Sequence, residues 1–370
     1  MTFRPKFFDL VRPAIFALDS ETGHRLAISA LKTLPKRTSM FKSSLCDAQG
    51  PLAINVAGLS FPNPVGVAAG FDKDAEVPDA LLRLGFGFTE VGSITPRPQA
   101  GNPKPRLFRL VEDKAVINRM GFNNAGASAA LDRLKARQHG RKAPGGIVGV
   151  NIGANKDSDD RIADYAYMAR TMTPWANYLA VNISSPNTPG LRALQDESAL
   201  TGLIDAVIEA RADGAAAMKE ADADCALPPI FLKVAPDLEP ADIDAIARIA
   251  LDKKLDALIV SNTTISRPEL RSHHAGETGG LSGDPLRILA LQRVRDFRKA
   301  TGGAIPLVGV GGIATADHAW ERIKAGASLI QLYSAMVYHG PGLGAQIAGG
   351  LERLMKRDGF ASIAEAVGSE

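Results

Sequence analysis

The sequence predicts an α/β fold, a (β/α)8 TIM barrel preceded by a two-helix, membrane-associating N-terminal extension. Three observations lead there. From residue 64 onward, short apolar runs rich in β-branched residues alternate with stretches of helical period, the pattern of parallel strands joined by helices. Eight such runs fit in the 370-residue chain, and eight β–α units need about 250 residues with room for insertions. Every run ends on a small or polar group, as in a pocket built at the carboxyl ends of barrel strands. A doubly wound open sheet is the structural rival.

Taken in order, residues 1–45 form one unit and 46–370 the barrel. A helix over about Pro5 to Leu18 puts Phe7, Val11, Ile15 and Leu18 on one face, with Arg4, Lys6 and Arg12 elsewhere on its surface. Pro13 is expected to kink or restart it. A second helix, about Ser20 to Leu34, aligns His24, Ala27, Leu31 and Leu34 and ends at Pro35-Lys36-Arg37. Residues Asn55 to Phe61 alternate as one short strand. The eight runs are Val65–Ala69, Phe88–Val91, Ile147–Val150, Tyr178–Val181, Phe231–Val234, Ala257–Val260, Leu307–Val310 and Leu329–Leu332. Helical stretches lie between them, among them Ala127–Lys135, Leu200–Ala216, Ala241–Leu251, Leu286–Lys299 and Asp317–Lys324.

With 45% hydrophobic and 22% charged residues, the chain can bury a large core. A net charge of +3 excludes nucleic acid as a main partner. The charge is unevenly placed. Residues 1–42 hold eight basic and three acidic residues and five of the 14 Phe, so the rest carries a deficit of two. No apolar stretch is long enough to span a bilayer, and the first residues lack the unbroken apolar stretch of about 7–15 residues expected of a signal peptide. Cys46 and Cys225 lie far apart without metal-ligand spacing, so no metal or iron–sulfur site is expected.

The strand ends carry the chemistry. Gly311-Gly312 after the seventh run and Tyr333-Ser334 after the eighth fall where this barrel binds phosphate, since glycine lets backbone N–H groups come close. Tight turns alone are the plainer explanation. Thr278-Gly279-Gly280-Leu281-Ser282-Gly283 is a third glycine-rich segment suited to closing over the same group. Lys233, in an apolar run, needs an anion: a reduced flavin ring or a structural carboxylate. Lys73 either clamps a substrate carboxylate or is a loop lysine. Asn118, Asn123, Asn124, Asn151, Asn182, Asn187 and Asn262 fall at strand ends or adjoining loops; carboxamides match the donor–acceptor edge of a cyclic ureide, though Asn is also common in turns. With no His or carboxylate pair among these segments, Ser185 is the candidate base, a poor one unless its proton passes to water or a neighbouring hydroxyl.

Several long motifs, in order, resemble dihydroorotate dehydrogenase. They are Ala68-Ala69-Gly70-Phe71-Asp72-Lys73, Thr95-Pro96-Arg97-Pro98-Gln99, Pro105-Arg106-Leu107-Phe108-Arg109-Leu110, Ile117-Asn118-Arg119-Met120-Gly121-Phe122-Asn123-Asn124, Asn182 through Gly190, Ser261-Asn262-Thr263-Thr264 and the Gly279–Gly283 segment. The N-terminal helices and the serine resemble its quinone-dependent class 2; soluble relatives place a cysteine where Ser185 stands. Phe71 replaces a more usual Leu, and Ser93 and Ser261 stand where Thr is also used.

The resemblance implies oxidation of (S)-dihydroorotate to orotate in pyrimidine biosynthesis, with one FMN per chain and ubiquinone or menaquinone as electron acceptor. Ser185 matches the catalytic base. Lys73, Asn118, Arg119, Met120, Gly121 and Phe122, with Asn182, Asn187, Asn262 and Thr263, match the substrate site. Ala69, Gly70, Phe71, Asp72 and Lys73 match the flavin site. So do Ser93, Asn151, Asn182, Lys233 and Ser261, and, towards the phosphate, Gly283, Gly312, Tyr333 and Ser334. His24 and Arg109 match the quinone passage, against the simpler roles of a packed histidine and a surface arginine. The expected setting is a peripheral, monomeric protein on the cytoplasmic face of a bacterial inner membrane, held through residues 1–42 and without an iron–sulfur partner subunit. The rivals are a soluble relative whose helices pack a protein partner, a non-redox sugar-phosphate barrel and a flavin barrel without turnover.

Overall fold

The structure is a computed structural model that describes residues 5–34, 47, 49–139, 145–188, 190–220 and 226–370. The 45/46 boundary, Arg4, Pro35-Lys36-Arg37, Lys42, Cys46, Pro189 and Cys225 lie outside the described residues, as do the side chains of Lys6 and Phe7.

Helix α1 (Pro5–Phe16) contains Pro13 without restarting there. The helix ends soon after it, and the Pro13 carbonyl still accepts the Ala17 N–H at 3.1 Å. Helix α2 (Ser20–Lys32) is started by Asp19, whose carboxylate accepts the N–H groups of Glu21 and Thr22 at 3.1 and 3.0 Å. The stretch expected as one strand is a hairpin, β1 (Ile54–Val56) and β2 (Leu59–Phe61), around Ala57-Gly58. Both turn residues have positive φ, 53° and 77°, the backbone a two-residue type I′ turn requires.

A closed parallel barrel follows. Its strands are β3 (Val65–Val67), β4 (Phe88–Ile94), β7 (Ile147–Ile152), β8 (Tyr178–Asn182), β9 (Ile230–Val234), β10 (Ala257–Val260), β12 (Leu307–Val310) and β13 (Ala327–Leu332). They pair in the order β10-β12-β13-β3-β4-β7-β8-β9, and the β9–β10 pair closes the ring. Each of the eight expected runs supplies one strand. Between and after them run α3 (Pro78–Arg83), α4 (Gly126–His139), α5 (Arg161–Met172), α6 (Glu197–Glu220), α7 (Pro240–Asp252), α8 (Arg287–Ala300), α9 (Ala316–Lys324), α10 (Ser334–His339) and α11 (Leu343–Arg357). No described helix is long and apolar enough to cross a membrane.

Strand alternation builds the interior in layers. At the amino end, Tyr178 stacks on Phe231 at 4.4 Å, Phe88 lies against Tyr178 at 6.4 Å, and Phe61 of the hairpin meets Phe88 edge-on at 5.1 Å. These rings fill the space left by glycines: a Cβ on Gly66 would lie 2.4 Å from the Phe88 ring, and one on Gly149 only 2.0 Å from that of Tyr178. Two residues further along β4, β7 and β9, the inward side chains become Glu90, Asn151 and Lys233, and Gln331 of β13 meets Glu90 among them. The barrel thus changes from an apolar floor to a polar layer within one step of the pleat.

Above the carboxyl ends lies a second sheet that the sequence did not announce. Strands β5 (Leu107–Leu110) and β6 (Ala115–Asn118) form a hairpin, and β11 (Gly280–Gly283), expected as a glycine-rich loop, pairs antiparallel with β6. Phe108, Leu110, Ala115, Ile117 and Leu281 give it its own small apolar core.

Replacing Phe88 by alanine removes the ring that both Gly66 and Phe61 pack against. A loss of about 3–5 kcal/mol in unfolding free energy by urea titration is expected; a loss under about 1 kcal/mol would show that the floor does not support the barrel.

Candidate active site

A cavity of about 740 Å³ runs from the carboxyl ends of the barrel strands to the gap between α1 and α2. Its inner wall is polar and its outer wall apolar. Phe8, Val11, Ile15, Ala27, Ala30 and Leu31 line the outer part. The inner part is built from residues just beyond the strands.

The polar layer beneath is organised by Glu90, which has no exposed surface. Its carboxylate accepts from Asn151 Nδ2 at 2.8 Å, from the Tyr178 hydroxyl at 3.0 Å and from Gln331 Nε2 at 2.7 Å. Asn151 Oδ1 in turn accepts from the Ser93 hydroxyl and from Asn182 Nδ2, the latter at 3.2 Å. Asn182 Nδ2 also donates to Ser93 Oγ at 2.9 Å, while Asn182 Oδ1 takes the Ser184 hydroxyl at 2.9 Å and Asn262 Nδ2 at 3.3 Å. The carboxamides of Asn151 and Asn182, which would otherwise rotate, are held at both ends, whereas Gln331 is held through Nε2 alone.

Two lysines open on the cavity without a carboxylate at ion-pair distance among the described residues. Lys233, 5% exposed, is lowered in pKa by burial, with the Glu90 charge opposing the shift. Burial brings Lys73 down to about 8, while Asp74 acts the other way. Each is a cation short of a counter-charge, so this end of the cavity favours anions.

The two neighbouring serines differ in what they are free to do. Ser184 donates to Asn182 and accepts from Asn262 Nδ2 at 2.9 Å. Ser185, 5% exposed, lines the cavity and only accepts, from the Asn187 N–H at 3.3 Å. Its proton has no acceptor among the described residues. Asn187 also donates to Asn118 Oδ1 at 3.1 Å, which joins the serine loop to the end of β6.

At the outer end, α1 and α2 are tied to the upper sheet. Arg109 donates to the carbonyls of Ile15 and Phe16, both at 3.2 Å, and to that of Leu18, placing a cation on the carbonyl end of α1. Arg106 grips Glu21 with both sides of its fork, at 2.8 and 3.2 Å. His24 packs edge-on against Phe71 at 5.3 Å and near Tyr333 at 6.4 Å. Burial, helped by the Lys73 charge, lowers its pKa to about 4, so the imidazole is neutral at pH 7.

The family model for dihydroorotate dehydrogenase matches residues 51–355. The chain belongs to the dihydroorotate dehydrogenase family. It is 69% identical to the dihydroorotate dehydrogenase (quinone) of Erythrobacter litoralis, covering 98% of this chain and 99% of that one. Identity to the protein of the same name from Novosphingobium aromaticivorans is 66%, over 98% and 99% of the two chains. Two crystal structures of the Eimeria tenella enzyme, one ligand-free and one with ferulenol, are 40% identical and superpose with a TM-score of 0.87. Each covers 95% of this chain, which spans 95% of the ferulenol-bound chain and 99% of the ligand-free one. Relatives at this identity place the chain in the quinone-dependent class, and the family is flavin-dependent.

Of the positions matched to the family, Ala69, Gly70, Phe71, Lys73, Ser93 and Asn118 line the cavity, as do Met120, Gly121, Phe122, Asn182, Ser185 and Asn187. Lys233, Ser261, Asn262, Thr263, Gly283, Gly312, Tyr333 and Ser334 complete the inner wall, with His24 and Arg109 further out. Three matched positions stay off it. Asp72 turns away and caps the turn before α3, accepting from the Glu76 and Val77 N–H groups, both at 2.8 Å. Burial raises its pKa to about 6 against those two donors. Arg119 pairs with Glu277 at 2.7 Å, and Asn151 acts through Ser93 and Asn182. Glu90, Tyr178 and Gln331 were missed by sequence reasoning. The available signal was a glutamate inside an otherwise apolar strand.

Replacing Glu90 by leucine leaves Lys233 without its nearest opposing charge and Asn151 without its acceptor. The expected cost is about 3–5 kcal/mol of unfolding free energy, measured in urea; a variant as stable as the parent would remove Glu90 from this role.

Proposed function

We propose that this chain oxidises (S)-dihydroorotate to orotate at the inner end of the cavity and passes the electrons to a quinone admitted between α1 and α2, a step of pyrimidine biosynthesis. The observation that carries this is Ser185: a buried hydroxyl with a free proton, in a cavity polar and cationic at one end and apolar at the other.

The residues present fit FMN as the flavin. Lys233, Ser261, Gly70, Ser93 and Asn182 would hold its ring, and Gly283, Gly312 and Ser334 its phosphate. Asp72 and Asn151 support that wall from behind. When bound, FMN supplies the acceptor for the C6 hydride and the route from two-electron oxidation to quinone reduction.

The chain's own groups do the rest. Lys73 holds the substrate carboxylate, and Asn118, Asn187, Asn262 and Thr263 read the ureide edge without changing its charge. Met120, Gly121 and Phe122 wall the ring, and Arg119 fixes their loop through Glu277. Ser185 Oγ removes the C5 proton. With Ser184 committed to Asn182, the hydroxyl free to take that proton onward is that of Thr188, buried and without a partner. A neutral His24 and the apolar faces of α1 and α2 suit a quinone ring.

The membrane setting follows from solubility. A quinone stays in the bilayer, so the enzyme goes to it as a peripheral protein, with residues 1–42 on the cytoplasmic face of the inner membrane. Leu10, Leu18 and Leu26 are exposed on or beside the two helices. Each Lys or Arg near an anionic leaflet adds about 1 kcal/mol.

Ser185→Ala is expected to retain flavin and orotate binding while turnover with a quinone analogue falls about 10²- to 10⁴-fold; undiminished turnover would assign the proton to another group. Deleting residues 1–42 should abolish co-sedimentation with anionic vesicles, and a truncated protein that still pellets would refute the membrane assignment.

A further inference from the structure

The largest fully buried side chain among the described residues is a charged one, Arg322 in the last turn of α9, at 1% exposure. It lies outside the cavity wall. Among the described residues no carboxylate approaches it at ion-pair distance: the adjacent Glu321 is taken by Arg287 at 3.2 Å. A buried guanidinium without a carboxylate costs several kcal/mol unless something else supplies the opposite charge.

Its hydrogen bonds show where that charge belongs. Arg322 donates from Nη1 to the Val310 carbonyl at 3.4 Å and from Nη2 to those of Gly311 and Arg287 at 2.9 and 3.2 Å. Nε has no partner. In a trans peptide the C=O and the following N–H point in opposite directions. Carbonyls drawn back toward Arg322 therefore turn the N–H groups of Gly311 and Gly312 away from it, and neither N–H meets a main-chain acceptor. Both glycines line the cavity, with φ of 111° and 69° that side chains rarely allow. Gly309 serves the same arrangement from behind, since a Cβ there would lie 2.5 Å from Arg322 Cγ. Burial and the nearby Arg287 charge lower the Arg322 pKa to about 9, as expected of a cation whose counter-charge the protein does not provide.

We propose that Arg322 is a positioning residue for a phosphate monoester: it shapes the loop after β12 so that two peptide N–H groups face the anion, and it supplies the buried positive charge behind them. The inference rests on the FMN reading above and adds to it a residue that never touches the ligand. It assigns Gly309 to seating the arginine stem rather than to contact with phosphate.

The test compares FMN with riboflavin, which lacks only the phosphate, as ligands exchanged into the full-length protein and followed by flavin fluorescence. The parent is expected to bind FMN more tightly than riboflavin; no preference would overturn the FMN reading itself. Arg322→Met should lower FMN affinity on the order of 10- to 100-fold, the size of one lost charge-assisted interaction, and leave riboflavin affinity unchanged. Equal weakening of both ligands, or of neither, in a parent that does discriminate would overturn the proposal. Arg322→Lys keeps the charge but not the fork. It should lose a smaller part of the same preference, about 3- to 10-fold, and a full parental preference would refute the fork's role even if the methionine variant fails to fold.

Discussion

Glu90 is shut inside the barrel with three donors on its two oxygens, and the order of the site above it depends on that arrangement. A carboxylate this deep is tolerable only with donors on both oxygens and a cation in the same field. Lys233 is that cation. Asn151, fixed by the carboxylate, orients Ser93 and Asn182, and Asn182 orients Ser184 and Asn262. One buried charge thus sets the direction of carboxamides on four strands, each pointing the way its neighbour requires. The floor of Phe88, Tyr178 and Phe231 keeps water from this layer, and Tyr178 belongs to both, with its ring in the floor and its hydroxyl on Glu90.

Much of this was legible from residues alone because a parallel barrel writes its strands as separate apolar runs and its site at their ends. All eight runs became strands, and most matched site residues came to the cavity wall. What was not legible shares one cause: the deciding contacts are between segments far apart in sequence. Ala57-Gly58 gives no strong turn signal, because alanine at positive φ is held there by pairing of the flanking strands rather than by its own preference. The strand Gly280–Gly283 looks like a loop by composition; it is a strand because β6 lies beside it. Arg322 sits in an amphipathic helix, where an arginine reads as solvent-facing until the β12 carbonyls are placed against it. Asp72 reads as a ligand within its motif and proves to cap a turn.

The two N-terminal helices are held by charged groups as well as by apolar packing. Arg109 on the carbonyl end of α1 and Arg106 on Glu21 of α2 come from the same upper-sheet segment, so both helices are hung from one β-hairpin. Ile28 and Leu31 of α2 join the barrel core, while Phe8, Val11, Ile15, Ala27 and Ala30 remain on the cavity wall. This explains how a segment rich in exposed leucine keeps a defined gap without a bilayer around it.

The upper sheet joins two ends of the cavity that the barrel itself keeps apart. Asn118 ends β6 on the side proposed for the ureide, Gly283 ends β11 on the side proposed for the phosphate, and the two strands are hydrogen-bonded along their whole length. They behave as one stiff plate, with Arg109 and Arg106 along its rim. On the proposed assignment, a shift of β6 that admitted a substrate ring would carry with it, through the pairing, the glycine proposed for the phosphate and the two arginines that hold the helices.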